Sequence, residues 1–163
     1  MTDQPDLDHF ASAAKQRVSA AVPDFDPAAW SVALDLVRLT DRIEADFERN
    51  VHRPLGLTWA GFRLLFRLWV VGPQGTSRLS RALHTTAPTV SSVVKTLERR
   101  GLITRTRIAD DARAVSIALT PLGEELVATA FARQHEREQA WFAGLDPDDS
   151  AALRRILQQL LRS

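Results

Sequence analysis

The segment Arg78-Leu-Ser-Arg-Ala-Leu83, His84-Thr-Thr-Ala-Pro88, Thr89-Val-Ser-Ser-Val-Val-Lys-Thr-Leu-Glu-Arg-Arg-Gly101 reads as a short helix, a tight break and a second helix. Thr86 is an N-cap residue type, and Pro88 falls in the first helical turn, where a missing N–H costs nothing. Val90, Val93, Val94 and Leu97 recur at helical spacing and make one apolar face. The opposite face carries Pro88, Ser92, Lys95 and Arg99, with Ser91 on its flank. Small hydroxyls near a helix start, followed by cations, suit a helix that enters a major groove. Hydroxyls and N–H groups meet base edges and phosphates there, and Lys and Arg neutralise phosphate. A polar helix face is by itself the ordinary solvated face of an amphipathic helix, so the flanking segments carry the argument.

Downstream, Gly101 suits the left-handed residue that ends a helix. Val115, Ile117 and Leu119 alternate with Ser116, Ala118 and Thr120, the pattern of a strand with one buried face. Leu102 to Arg107 is a less regular partner strand offering Arg105 and Arg107, and Ala109-Asp-Asp-Ala-Arg113 makes a short polar tip. Two helices and a hairpin in this order make a winged helix-turn-helix. Charge agrees with that reading: residues 78–113 hold eight Lys or Arg against three acids, a local +5 on a chain whose net charge is +1. A basic patch on a nearly neutral chain is the electrostatic footprint of a polyanion partner.

Leu97-Glu-Arg-Arg-Gly-Leu-Ile-Thr-Arg105, Asp111-Ala-Arg113 and Leu119-Thr-Pro-Leu-Gly123 resemble the signature of the multiple antibiotic resistance regulator (MarR) family, over roughly residues 30–160. The resemblance implies an α-helical dimer carrying two winged lobes, each with one helix in the major groove and its wing near the minor groove. It also implies that Arg113 is the wing arginine that reaches DNA and that Asp111 holds the wing's shape. Many members carry arginine where this chain has Ser92, so the operator sequence does not transfer. The expected DNA contacts are Thr86, Pro88, Thr89, Ser91, Ser92, Lys95, Arg99, Arg105, Arg107 and Arg113.

The expected fold class is mainly α with a small β-hairpin wing, a winged helix-turn-helix lobe plus a helical dimerisation region, in one domain over residues 1–163. Residues 5–22 read as an extra N-terminal helix with Leu7, Phe10, Ala14 and Val18 at helical spacing, closed by Pro23. Residues 27–71 supply core and pocket helices. Asp26-Pro27 caps the first of them, expected over about 27–53, with one apolar row at Trp30, Leu34 and Val37 and a second at Leu36, Leu39, Ile43 and Phe47. Thr58 opens the next, with the aromatic row Trp59, Phe62, Phe66 and Trp69 and with Arg63 and Arg67 on its polar flank. A turn at Gly72-Pro-Gln-Gly75 ends it, and 76–119 is the winged lobe. Aromatic rows usually pack a core. A mostly apolar cavity with one cationic group also suits an aromatic or acidic ligand, and the family resemblance favours effectors in this region. The expected pocket is Trp30, Trp59, Phe62, Arg63 and Phe66. Urate-responsive members carry a Trp-Asp pair near Phe62-Arg63, so urate is not the expected ligand.

Residues 120–163 read as two terminal helices, opened at Thr120-Pro121 and Asp146-Pro147, with the stripe Leu153, Ile156, Leu157, Leu160 and Leu161 on the second. Their leucine-rich faces argue for a homodimer, which matches palindromic double-stranded operators. The expected protein is therefore a sequence-specific, cytoplasmic transcriptional regulator, a homodimeric repressor released by a small aromatic or acidic ligand. Two alternatives are a metal-responsive winged-helix regulator and a winged-helix module that binds protein. The basic wing speaks against the second. The chain has no cysteine, so disulfides, thiolate metal sites and a cysteine redox switch are excluded. His9, His52, His84 and His135 lie on separate elements, and neither a Gly-rich phosphate loop nor an HExxH motif occurs. No enzyme activity, no cofactor and no membrane span are expected.

Overall fold

Thr58, Thr86, Thr120 and Asp146 open four helices in one way: each side-chain oxygen accepts the backbone N–H three residues on, at 3.1, 3.3, 3.1 and 2.8 Å. These caps satisfy donors that a helix start leaves unpaired; three of them precede a proline in the first turn, and Thr58 precedes the aromatic row. A computed structural model describes the backbone of residues 4–108 and 111–162, and the side chains of 9–106 and 115–162. The order is α1 (Gln4–Ala21), α2 (Pro27–Phe47), α3 (Trp59–Val71), β1 (Gln74–Gly75), α4 (Thr76–Ala82), α5 (Ala87–Arg99), β2 (Ile103–Ile108), β3 (Asp111–Leu119), α6 (Pro121–Phe142) and α7 (Pro147–Leu160).

The chain falls into two compact units, one up to Arg42 and one from Ile43 onward. In the first, Asp26 Oδ1 accepts the N–H groups of Ala28 and Ala29 at 2.8 and 3.1 Å, fixing the start of α2. Phe25 meets Trp30 edge-on, ring centroids 5.9 Å apart.

The second unit holds the winged lobe. Its core joins Phe62, Leu64, Leu65 and Leu68 of α3 to Leu79 of α4, Val90, Val94 and Leu97 of α5, Ile103 and Ile117 of the sheet, and Val127 and Ala130 of α6. Val90, Val94 and Leu97 are buried as their spacing requires, and Val93 is half-buried at the margin. The sheet is antiparallel in the order β1-β3-β2. Ile117 pairs with Arg105 on one side and Gln74 on the other.

Two expectations are corrected. The helix read as 27–53 is α-helical only to Phe47; Glu48–His52 is a π-turn and Arg53–Leu55 a 3-10 turn. The proline at position 54 removes a donor and crowds the carbonyl four residues back, and the wider turn swings Val51 and His52 into the core. Gln74–Gly75, read as part of a turn, is a third strand, because two extended residues suffice to pair with the free edge of β3. The wing strands also run further than the alternation indicated, to Ile108 and from Asp111, with a register irregularity at Arg107/Ile108. Ala109 and Asp110 lie outside the described residues.

Helices α4 and α5 end in the same motif built from different residues. At α5, Leu102 N–H reaches Leu97 O (3.0 Å) and Gly101 N–H reaches Glu98 O (2.8 Å), with Gly101 at φ +69°. At α4, Thr85 N–H reaches Ser80 O (3.0 Å) and His84 N–H reaches Arg81 O (3.2 Å), with His84 at φ +50°. A side chain in this left-handed position is strained, whereas glycine takes it freely. His84→Gly should therefore raise stability slightly, by up to about 1 kcal/mol, while Gly101→Ala should cost about 1 kcal/mol. Urea titration of the two variants checks the opposite signs.

Candidate functional site

The outer face of α5 follows from the burial of its inner one. With Val90, Val94 and Leu97 anchored, Thr86, Pro88, Thr89, Ser91, Ser92, Lys95 and Arg99 are all exposed. The Thr86 and Thr89 hydroxyls lie 2.8 Å apart and share a hydrogen bond. Further along, Arg99 donates to Thr96 Oγ1 at 3.4 Å. This row runs from hydroxyls to cations along one side of a helix whose other side is fixed in the core.

Arg105 projects from β2 at the root of the wing, but Glu98 engages it. Its Nε donates to Glu98 Oε1 at 2.9 Å and its Nη2 to Oε2. The hydrogen bonds from Arg105 hold the Glu98 carboxyl below the ordinary range, and Glu98 raises the guanidinium. A cation read as a free DNA contact thus also ties α5 to the sheet, and part of its charge is offset locally. Arg100, absent from the expected contacts, donates to the Gly56 and Leu55 carbonyls and fastens the end of α5 to the turn before α3. The side chains of Arg107, Asp111 and Arg113 lie outside the described residues; their backbone belongs to β2 and β3.

A second feature lies between α3 and α6. A cleft of about 370 Å³ is lined by Trp59, Phe62, Arg63, Phe66 and Arg67 of α3, Leu83, and Phe131, Gln134 and Glu138 of α6, among others. Phe66 stacks on Phe131 (5.1 Å) and on Phe62 (5.6 Å). Four of the five expected pocket residues come together here. Trp30 belongs to the first unit, where it meets Phe25. Arg63 Nη2 donates to the Leu83 carbonyl at 3.2 Å, and its guanidinium sits 6.0 Å from the Trp59 ring centroid. Arg67 Nε and Trp59 Nε1 are buried donors that find no acceptor among the described residues.

Behind this wall lies a residue that the sequence did not single out for the cleft. His52 is fully buried and stacks on Phe62 (4.4 Å) and Trp59 (5.4 Å). Its Nε2 lies 3.1 Å from Gln134 Oε1, and Gln134 Nε2 donates to Glu138 Oε1 at 2.8 Å. Because the Gln134 amide nitrogen is spent on Glu138, the imidazole must donate from Nε2, leaving Nδ1 bare. Burial lowers the His52 pKa despite Gln134 and Glu48, which favours the neutral ring. Among the described residues no three metal-binding side chains gather. His52 is a stacked core residue.

The sequence of residues 57–115 matches the MarR family profile. That segment, which holds the winged lobe, is a MarR-family domain. The chain is 27% identical over 132 residues to the uncharacterized HTH-type transcriptional regulator YwaE of Bacillus subtilis, covering 81% of this chain and 77% of that one. A probable transcriptional regulator from Pseudomonas aeruginosa superimposes with a TM-score of 0.70 at 29% identity, over 79% of this chain and 96% of that one. Bordetella bronchiseptica BpsR, whose DNA binding is regulated by 6-hydroxynicotinic acid, superimposes with a TM-score of 0.72 at 28% identity, over 80% and 98%. The protein is a winged-helix, DNA-binding transcriptional regulator. No described helix is long and apolar enough to cross a membrane.

Proposed function

We propose that this protein is a cytoplasmic homodimeric repressor of a palindromic operator, released by a small aromatic acid held in the α3–α6 cleft. The observation that carries the DNA-binding part is the exposed row from Thr86 to Arg99 on a helix whose inner face is locked in the core. The basic sequence of the wing adds Arg107 as a contact, and the family resemblance adds Arg113, with Asp111 as the acid that holds the wing's shape. The dimer is supported by α7, which buries none of its residues and leaves Ile156, Leu160 and neighbouring Leu161 exposed, as is Phe142 at the end of α6. Such a face needs a partner, and a two-fold pair sets two α5 helices about 34 Å apart, one helical turn of DNA. In this reading 1–163 works as one domain: an N-terminal helix (5–22), core and cleft helices (27–71), the lobe (76–119) and the dimer helices (120–163).

The ligand part rests on the cleft's chemistry. Stacked rings and two arginines suit a flat molecule that brings an anionic acceptor. BpsR responds to an acid of this kind. The test is binding to DNA from the protein's own upstream region at two salt concentrations, with competitor DNA. Specific, salt-sensitive binding is expected. Arg113→Ala should weaken it about tenfold, and Lys95→Ala should lower the salt slope by about one. Absence of specific binding at low salt overturns the regulator reading, and unchanged affinity in Arg113→Ala removes the wing from it.

A further inference from the structure

We propose that Arg63 is the link between the cleft and the DNA-binding helix, and that a carboxylate in the cleft acts by taking this guanidinium from the Leu83 carbonyl. The inference rests on the cleft being a ligand site. Arg63 stands on α3 between two spaces. On one side is the α3–α6 cleft; on the other is a smaller one, about 80 Å³, closed by Leu83, Thr85, Thr89, Val90 and Val93 at the start of α5. Across that divide its Nη2 donates to Leu83 O at 3.2 Å.

Leu83 is the C-cap of α4, and its carbonyl opens the turn that aims α5. The next residue, His84, holds the strained left-handed conformation at φ +50°, where the α5 turn has glycine. A strained turn persists only where its surroundings fix it, and the Arg63 bond is a fixing contact from outside the two helices. A neutral carbonyl is a weaker acceptor for guanidinium than a carboxylate, which binds it in a charge-assisted, bidentate way. An acid entering the cleft therefore competes directly with Leu83 for Arg63. When it wins, the turn is released and the two helices lose their fixed relation. A neutral ligand of the same shape has no such leverage, since only differential affinity for the two states shifts the equilibrium.

The experiment measures hydrogen exchange at the His84 and Thr85 amides of the intact protein, with benzoate and with its neutral isostere benzamide. Benzoate is expected to speed exchange at these amides about fivefold, and benzamide to leave it unchanged. Arg63→Met is expected to exchange fast at the outset and to ignore benzoate. Arg63→Lys, which keeps the charge but not the planar fork, is expected to show a reduced response. No effect of benzoate on the turn, an equal effect of benzamide, or a full response in Arg63→Met overturns the proposal. Should Arg63→Met not fold, the benzoate–benzamide contrast in the parent protein decides. If benzoate releases operator DNA without touching the turn amides, the coupling falls and the regulator reading stands. If specific DNA binding is itself absent, that reading falls instead.

Discussion

Gly123→Ala is expected to destabilise the winged lobe by about 3 kcal/mol or more, although alanine is the better helix former. Thr120 closes the wing onto α6: its N–H donates to Leu102 O at 3.1 Å and its hydroxyl to Gly101 O at 2.7 Å. This docks the first turn of α6 against the backbone that leaves α5. A Cβ on Gly123 would lie 3.0 Å from the Leu102 carbonyl carbon and closer still to its oxygen. Both partners are backbone, held by a helix cap on one side and the α5 end on the other, so neither yields cheaply. The melting temperature should fall by about 6 to 12 °C. An exposed helical glycine would respond in the opposite direction, and a rise in stability would refute the docking described.

Asp46→Ala should cost about 2 to 3 kcal/mol, the second largest expected effect. Asp46 sits at the end of α2 within the second unit and accepts Arg137 Nε and Nη2 at 2.9 and 2.8 Å, Trp141 Nε1 at 2.9 Å and Asn50 Nδ2. Its side chain is 14% exposed. Burial alone would raise this carboxyl, but the bonds from Arg137, Trp141 and Asn50, with the Arg137 charge, hold it below the ordinary carboxylate range. The contribution is thus complete above about pH 4, the ordinary aspartate value, and is lost as the pH falls toward the folded value. Asp46→Asn keeps an acceptor for Trp141 and should cost about half as much. Its deficit against the parent protein should shrink as the pH falls below about 4. A deficit that stays constant across that window would mean that the charge on Asp46 does not matter.

These residues mark where sequence reading stops. The lobe was legible because its signals are local. Thr86 and Thr120 cap the helices that start beside them, Val90, Val94 and Leu97 show the helix period, and Ile117 the strand period. Four residues of the aromatic row and its flank, Trp59, Phe62, Arg63 and Phe66, meet in the cleft because three- and four-residue spacing puts them on neighbouring faces of α3. Asp46 carried no such signal: Arg137 and Trp141, which hold it, lie more than ninety residues away. Neither did Arg105, whose charge reads as free until the fold brings Glu98 beneath it. His52 was visible as a histidine, but its depth depends on a π-turn that hydrophobic spacing does not encode. The two-residue strand β1 is shorter than any periodicity.

That strand bears on how the lobe is made. Gln74 pairs with Ile117 and Gly75 with Ser116, so the central strand's second edge is closed by residues that precede α4, α5 and β2 in the chain. The pairing becomes possible only after everything between has been laid down, and it seals the whole segment as a loop. Such non-local closure is slow compared with helix formation. The lobe should therefore be acquired in a single late step, with little persistence of the helix pair alone. A ribosome-bound chain ending before β3 would display α5 without the scaffold that aims it.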